Sequence, residues 1–327
     1  AIYGLLPGLT VMQNTSWGTD KSRLNVRGRG SLNGDTPLFV VDGFARPIEY
    51  INLSEIESIS VLKDGAATAL WGGRGANGVV LITTKRGMYS KKEIKVDYKF
   101  GLGLPVNQPE FADAYTYAKA RNEALRYDGL QPDMDEASFL AGGNSDLYPN
   151  VDWQKEALRN HTTSHQLDIT FRGGGKRLRY FSVLNYKNDM GLLNSKYTDY
   201  TDRYNSQMKK YFLNLRMNLD VDITDATKLK LNMLGMLRET KRPTTSEATL
   251  FEQIFNTPSA AFPVQTQNGL WGSNNVLKTN PIANLADVGY YKLNQRMLQA
   301  DLRLIQDLSV LTSGLSAELA IAYDNNA

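Results

Sequence analysis

The sequence predicts a mixed α/β domain followed by antiparallel strands of a large transmembrane β-barrel. Three observations carry that prediction. The first 87 residues place short strands between glycine-rich turns. From residue 90 onward come long strands of alternating polarity. The connections between those strands alternate short and long.

Composition narrows the alternatives. A net charge of +3 over 327 residues gives no strong basic field, so no nucleic-acid partner is expected. No run of 18 apolar residues exists, which excludes transmembrane helices. The negative mean hydropathy still admits a membrane barrel, because lumen-facing positions are polar. The absence of cysteine rules out disulfides and thiolate zinc sites. Seventeen tyrosines suffice for interfacial aromatic girdles. The opening AIYGLLPGLTVMQ lacks a basic n-region and a long apolar h-region, so it is not a signal peptide. The chain is expected to be a segment whose beginning and end lie elsewhere.

After a polar hinge at Lys85–Lys92, Ile94–Leu104 sets Ile94, Val96, Tyr98, Phe100 and Leu102 against Lys95, Asp97 and Lys99. A side-chain period of two makes one face apolar and the other polar. Eleven tilted residues roughly span a bilayer. Ser164–Arg172 repeats the pattern. Leu178–Lys187 is less decisive, with Tyr180, Leu184 and Tyr186 on one face but Phe181 and Val183 on the other. Tyr211–Ile223 is the cleanest: Leu213, Leu215, Met217, Leu219 and Val221 oppose Asn214, Arg216, Asn218, Asp220 and Asp222. Leu229–Arg238, Gln295–Ile305 and Leu315–Tyr323 complete the set. The gaps at 105–163, 188–210 and 239–294 are long, and the others are short. Long loops on one side and short turns on the other follow the plan of an outer-membrane barrel. In the first long gap, Phe111–Arg126 reads as a short amphipathic helix, with Glu123 and Arg126 spaced to pair. Two roles are open to it, a gate over a ligand or a loop that packs on its neighbours.

The first 87 residues carry strands Pro37–Asp42, Glu57–Lys63 and Gly78–Lys85. PLFVVDGF reads as a strand ended by an Asp42-Gly43 turn. In IESISVLKDGAATALWGGRGANGVVLITTKRG, Asp64 precedes a short helix, Ala66–Leu70, as an N-cap-like acid. Trp71 stands where that helix breaks into GGRG. One NVRGRG is no disordered RGG tract. His161 and His165 run into a strand without an HExxH motif, so no metal site is expected. No Ser/His/Asp set or glycosidase carboxylate pair can be singled out, so neither catalytic residues nor a cofactor is expected.

The glycine-rich stretch, from NVRGRG through PLFVVDGF to WGGRGANGVVLITTKRG, resembles the plug domain of TonB-dependent outer-membrane transporters, in detail the SusC/RagA-like branch. Lys63-Asp64-Gly65 stands where siderophore receptors carry Arg-Gly-Pro, which favours that branch. The resemblance implies a plug domain at 1–87 with its N-terminal part missing. It implies an incomplete barrel at 88–327. A plug of this size needs a barrel of about 22 strands. It implies import of a glycan or oligopeptide nutrient across the outer membrane. The expected partners are a SusD-like surface lipoprotein, a TonB protein acting through a box upstream of this segment, and outer-membrane lipid. Arg27, Asn33, Asp35, Phe44, Arg46, Trp71 and Arg74 are the residues implied for a plug floor beneath the ligand. For Arg27, a second role stays open, an ion-pair partner between plug and barrel wall. For the loop Phe44–Tyr50, the alternative is a plain structural turn. The rival functions are a passive channel or adhesin barrel, and a soluble carbohydrate-binding β protein.

Overall fold

The computed structural model describes residues 9–12, 23–26, 36–62, 69–106 and 108–327. Strands β1 (Leu9–Met12) and β2 (Arg23–Val26) pair antiparallel, with Leu9 opposite Val26. Strands β3 (Leu38–Val41), β4 (Phe44–Ala45), β5 (Ile56–Leu62) and β6 (Val79–Thr84) form a small mixed sheet of order β4-β3-β6-β5. Within it β3 and β6 run parallel. These two central strands read as unbroken apolar runs because both their faces are covered. Phe39, Val41, Val80 and Ile82 form its core, packed by Ile48, Ile51, Ile56, Ile59 and Val61. The three strands expected here lie within one residue of their observed bounds.

Asp42 and Gly43 both take positive φ, 50° and 95°. That is the two-residue hairpin for which Asp-Gly is suited. The Asp42 carboxylate locks the turn by accepting from Thr84 N at 3.0 Å and Thr84 Oγ1 at 2.6 Å. Lys63, Asp64 and most of the helix expected at Ala66–Leu70 lie outside the described residues. A 3-10 segment, Ala69–Gly75, follows and is broken at Gly72, whose φ of 55° and ψ of −148° suit only glycine.

The second sheet is a meander. Strands β7 (Ser90–Gly103), β8 (Thr162–Gly174), β9 (Leu178–Met190), β10 (Lys209–Asp222), β11 (Thr227–Pro243), β12 (Tyr290–Asp307) and β13 (Ser316–Asn326) are neighbours in chain order, all antiparallel. All seven expected strands are present, most of them longer than alternation alone marked. The extension of β11 is polar on both faces, as in Thr240 and Lys241, so its apolar period fades before the strand does.

Burial in this wall is inverted relative to a water-soluble sheet. On β10 the leucines face out and the polar residues face in. Leu215 is 51% exposed, whereas Arg216 is 2% exposed. The small sheet packs against that polar inner face. The ambiguity of β9 has a local cause. Its inner face carries Phe181 and Val183, both fully buried, so both faces of that strand are apolar. The outer face carries an aromatic cluster. His165 lies beside Tyr98 and Phe100, with Tyr98 Oη 2.8 Å from His165 Nδ1, and Tyr186 packs edge-on to Tyr211.

The three long connections are folded. Helices α1 (Ala114–Tyr127), α2 (Glu136–Ala141) and α3 (Trp153–Ala157) lie in the first connection, and α4 (Ser195–Thr198) in the second. The third carries α5 (Glu247–Asn256) and α6 (Pro281–Ala286). Trp153, Leu193, Leu250, Ile254, Ile282 and Leu285 meet in one apolar core drawn from all three. Side chains cap the N-termini of these helices. α1 buries Ala114, Ala118 and Asn122 along one face. The expected Glu123–Arg126 pair is replaced. Arg126 reaches Glu136 of α2 at 3.4 Å, because α2 folds back alongside α1.

Candidate functional site

The polar inner face of the wall grips the small sheet through buried charge pairs. Their positions follow from period two: every second residue of β10, β11 and β12 points inward, so Arg216, Asp220, Asn232, Asp301 and Arg303 face the small sheet. The small sheet supplies complementary groups from its loops and strand ends, where charged side chains project past the backbone.

Five contacts form a connected network. Arg86 donates to both oxygens of Asp220 at 2.9 Å and to Asn232 Oδ1 at 2.8 Å. Asn232 in turn donates to Asp301 at 2.7 Å. Asp301 also accepts from Arg46 Nη1 at 2.6 Å, and Arg46 turns its other edge to Asp324, Nη2 to Oδ1, at 3.0 Å. Burial works against the Arg46 charge, but the hydrogen bonds it donates to Asp301 and Asp324, with their negative charges, outweigh it and hold its pKa above the ordinary value. Alongside this network, Glu55 accepts from Arg216 Nε at 2.6 Å and from Asn214 Nδ2. Burial pushes the Glu55 carboxyl above the usual carboxylate range, against the pull of Arg216. Arg303 Nη2 donates to Asp42 O at 3.0 Å and lies 2.6 Å from where a Cβ on Gly43 would stand. Gly43 is therefore required by its φ, and a side chain there would also push the Arg303 guanidinium aside. Charge-assisted bonds of this kind are short and strong. Removing one partner of such a buried pair typically costs about 3–5 kcal/mol.

The expected floor residues divide. Arg27, Asn33 and Asp35 lie outside the described residues. Arg46 was expected on an open floor, where it would meet a ligand carboxylate. Instead it is 5% exposed and committed to two wall carboxylates. Phe44 is half-buried beneath it, ring centroid 5.3 Å from the guanidinium carbon. The rest of that loop is tied to the wall too. Arg238 lies over both Tyr50 and Phe212 and donates to Glu49 O at 3.3 Å. Trp71 is half-buried outside the small sheet's core cluster, beside a 90% exposed Leu70. Arg74 is exposed and makes no ion pair among the described residues. Sequence reasoning set Arg216 and Asp220 on the polar face of their strand but did not single out Glu55, Arg86 or Asp42 as counterparts of the wall. The available signal was a lone charge at the end of an apolar strand.

Residues 1–79 match the family model for the TonB-dependent receptor plug domain. "TonB-dependent receptor P26" of Formosa agariphila is 29% identical over 70% of this chain and 22% of its own length. "TonB-dependent receptor SusC" of Bacteroides thetaiotaomicron is 30% identical over 59% of this chain and 19% of its own. The chain thus spans about a fifth of these relatives. The structure of the RagAB peptide importer in the "closed-closed" state superposes on 99% of this chain and 38% of that one. The TM-score is 0.75 at 20% identity, a likeness of fold. Residues 1–79 thus carry a TonB-dependent receptor plug domain, and with a wall that is apolar outside and charged inside the chain as a whole resembles the SusC/RagA-like TonB-dependent receptors.

Proposed function

We propose that this chain forms part of an active importer that carries a glycan or oligopeptide nutrient across the bacterial outer membrane. Residues 1–87 are its plug and residues 88–327 part of a barrel of about 22 strands. A TonB-type protein pulls on the plug from below. A SusD-like lipoprotein closes the folded loops from above. The observation that carries the reading is the burial of charge between small sheet and wall. Arg46, Glu55 and Arg86 each meet opposite charge on an inward-facing strand position, while leucines face outward. A passive pore has no use for a lumen so occupied. A water-soluble β protein would not expose its leucines. Phe44, Trp71 and Arg74, with Arg27, Asn33 and Asp35, are the proposed contributors to the chamber floor. Arg46 is assigned to the wall contact instead. The name of the RagAB importer favours oligopeptide, and aromatic side chains suit sugar rings equally.

The test is uptake by whole cells. Cells carrying the intact protein should accumulate labelled oligopeptide or oligosaccharide only with TonB present and the inner-membrane proton gradient intact. Accumulation that persists after the gradient is collapsed would assign a passive channel.

A further inference from the structure

We propose that the outer face of β10, β11 and β12 holds a membrane lipid whose headgroup carries more than one phosphate. One of its acyl chains lies in the groove over Gly235. This rests on the reading above that the outer face of the wall meets an outer membrane.

Lys209, Lys241 and Lys292 stand directly opposite one another on three adjacent strands. All three share the outward parity of Leu213, Leu237 and Leu298. Neighbouring strands are about 4.8 Å apart. Like charges placed directly opposite across strands are unfavourable unless an anion joins them. The protein sets two carboxylates, Glu239 and Asp199, near Lys241 against the three lysines. Glu239 reaches Lys292 at 2.8 Å. Lys241 rests over the Tyr290 ring at 4.7 Å, and the Lys209 ammonium has no hydrogen bond or ion pair among the described residues. Four residues below Lys292 on β12, Arg296 also faces outward and is exposed, and its guanidinium makes no ion pair among the described residues. It lies in the row of Leu213 and Leu237, where the apolar band begins.

The next row down reads Leu215, Gly235, Leu298. Gly235 leaves a gap on the outer face, and a Cβ there would meet nothing within 4 Å. The result is a groove of about 520 Å³ lined by Leu213, Leu215, Leu237, Leu298 and Tyr323 beside Gly235, with Arg296 at its upper end. An apolar groove rising into cations fits an amphiphile with an anionic head. The cations form two groups about 13 Å apart along β12, at roughly 3.3 Å per residue. A headgroup with two separated phosphates spans that distance, and one with a single phosphate does not. The lysine row also lies just beyond the aromatic cluster of Tyr211 and Phe100, at the level where an outer leaflet places its charged groups.

The intact protein, purified in neutral detergent, is offered diphosphoryl lipid A, monophosphoryl lipid A or phosphatidylcholine, and retained lipid is counted by native mass spectrometry. Diphosphoryl lipid A should be retained best. Each Lys→Gln change should weaken retention about fivefold, and Lys209→Gln, Lys241→Gln and Lys292→Gln together about a hundredfold. Arg296→Gln should abolish the preference for two phosphates over one, and Gly235→Leu should weaken retention of both phosphorylated lipids. Equal retention of all three lipids, or a triple variant that binds like the wild type, would overturn the assignment. So would full displacement by inorganic phosphate, which would mark a site for free anion. Failure to insert into vesicles of any composition would overturn the membrane reading and this assignment with it. Insertion without preference would overturn the assignment alone.

Discussion

Arg46 and Asp301 meet at 2.6 Å although 255 positions separate them in the chain. Both side chains are almost fully buried. The contact therefore fastens the small sheet to the wall, and Arg46→Met would strand a carboxylate in a dry site. The expected cost is about 3–5 kcal/mol in urea unfolding of the plug, with ligand affinity in the surviving folded fraction unchanged. A variant with full stability and lost affinity would return Arg46 to the ligand chamber.

Leu215 tests which face meets lipid. Leu215→Arg places a charge in the apolar band and should cost about 2–4 kcal/mol. Asn294→Arg, on the same outer face but two rows higher, should cost about 1 kcal/mol or less. Folding titrations into vesicles measure both. Equal costs would mean that no depth gradient crosses this face.

Sidedness is tested by labelling. Leu130→Cys and Ser273→Cys, in long connections, should react with an impermeant thiol reagent on whole cells. Gly175→Cys, in a short turn with open space about its Cβ, should react only after lysis. The reverse pattern would invert the topology.

Acid should loosen the loop helices before the wall. The hydrogen bond from Thr116 holds Asp113 below the usual aspartate value of 3.8, and that from Ser138 does the same for Asp135. A depressed acid stabilises the fold above its unfolded pKa. That contribution is lost as pH falls through the folded value. Amide exchange across α1 and α2 should therefore quicken as pH drops below about 4, after correction for intrinsic rates. Asp113→Asn and Asp135→Asn should flatten the dependence.

Trp71 separates a binding role from a packing role. Trp71→Ala should weaken binding of the imported oligomer by about 1 kcal/mol or more if a ring stacks there, with plug stability nearly unchanged. A destabilised plug with unaltered affinity, by calorimetry and denaturant titration, would make Trp71 a packing residue.

The wall strands were legible because alternation over ten or more residues is a strong signal, and because the apolar face has to be continuous wherever lipid covers it. β9 blurred that signal, since Phe181 and Val183 bury themselves on the inner face. The helices at Glu136–Ala141, Ser195–Thr198 and Pro281–Ala286 were not legible. Four to six residues span too few turns to show a period, and their apolar partners come from other connections. Only their caps, Asp135, Asn194 and Asn280, were visible in the chain. The wall contact of Arg46 was not legible for a related reason: a charge beside an aromatic in a loop looks the same whether its partner is a ligand or an aspartate on a distant strand.

The apolar core shared by the three long connections sets an order of assembly. Trp153 and Leu193 can be sheltered only after Leu250, Ile282 and Leu285 have followed them out of the secretion machinery. Until then, an exported chain that already carries strands β7 to β11 presents bare tryptophan and leucine to water. Such contacts between distant segments form slowly and leave the intermediate prone to aggregation. Strand insertion and closure of the cap are thereby coupled events. A chain arrested before residue 281 would be a client for a periplasmic holdase, with a partly formed wall and no roof.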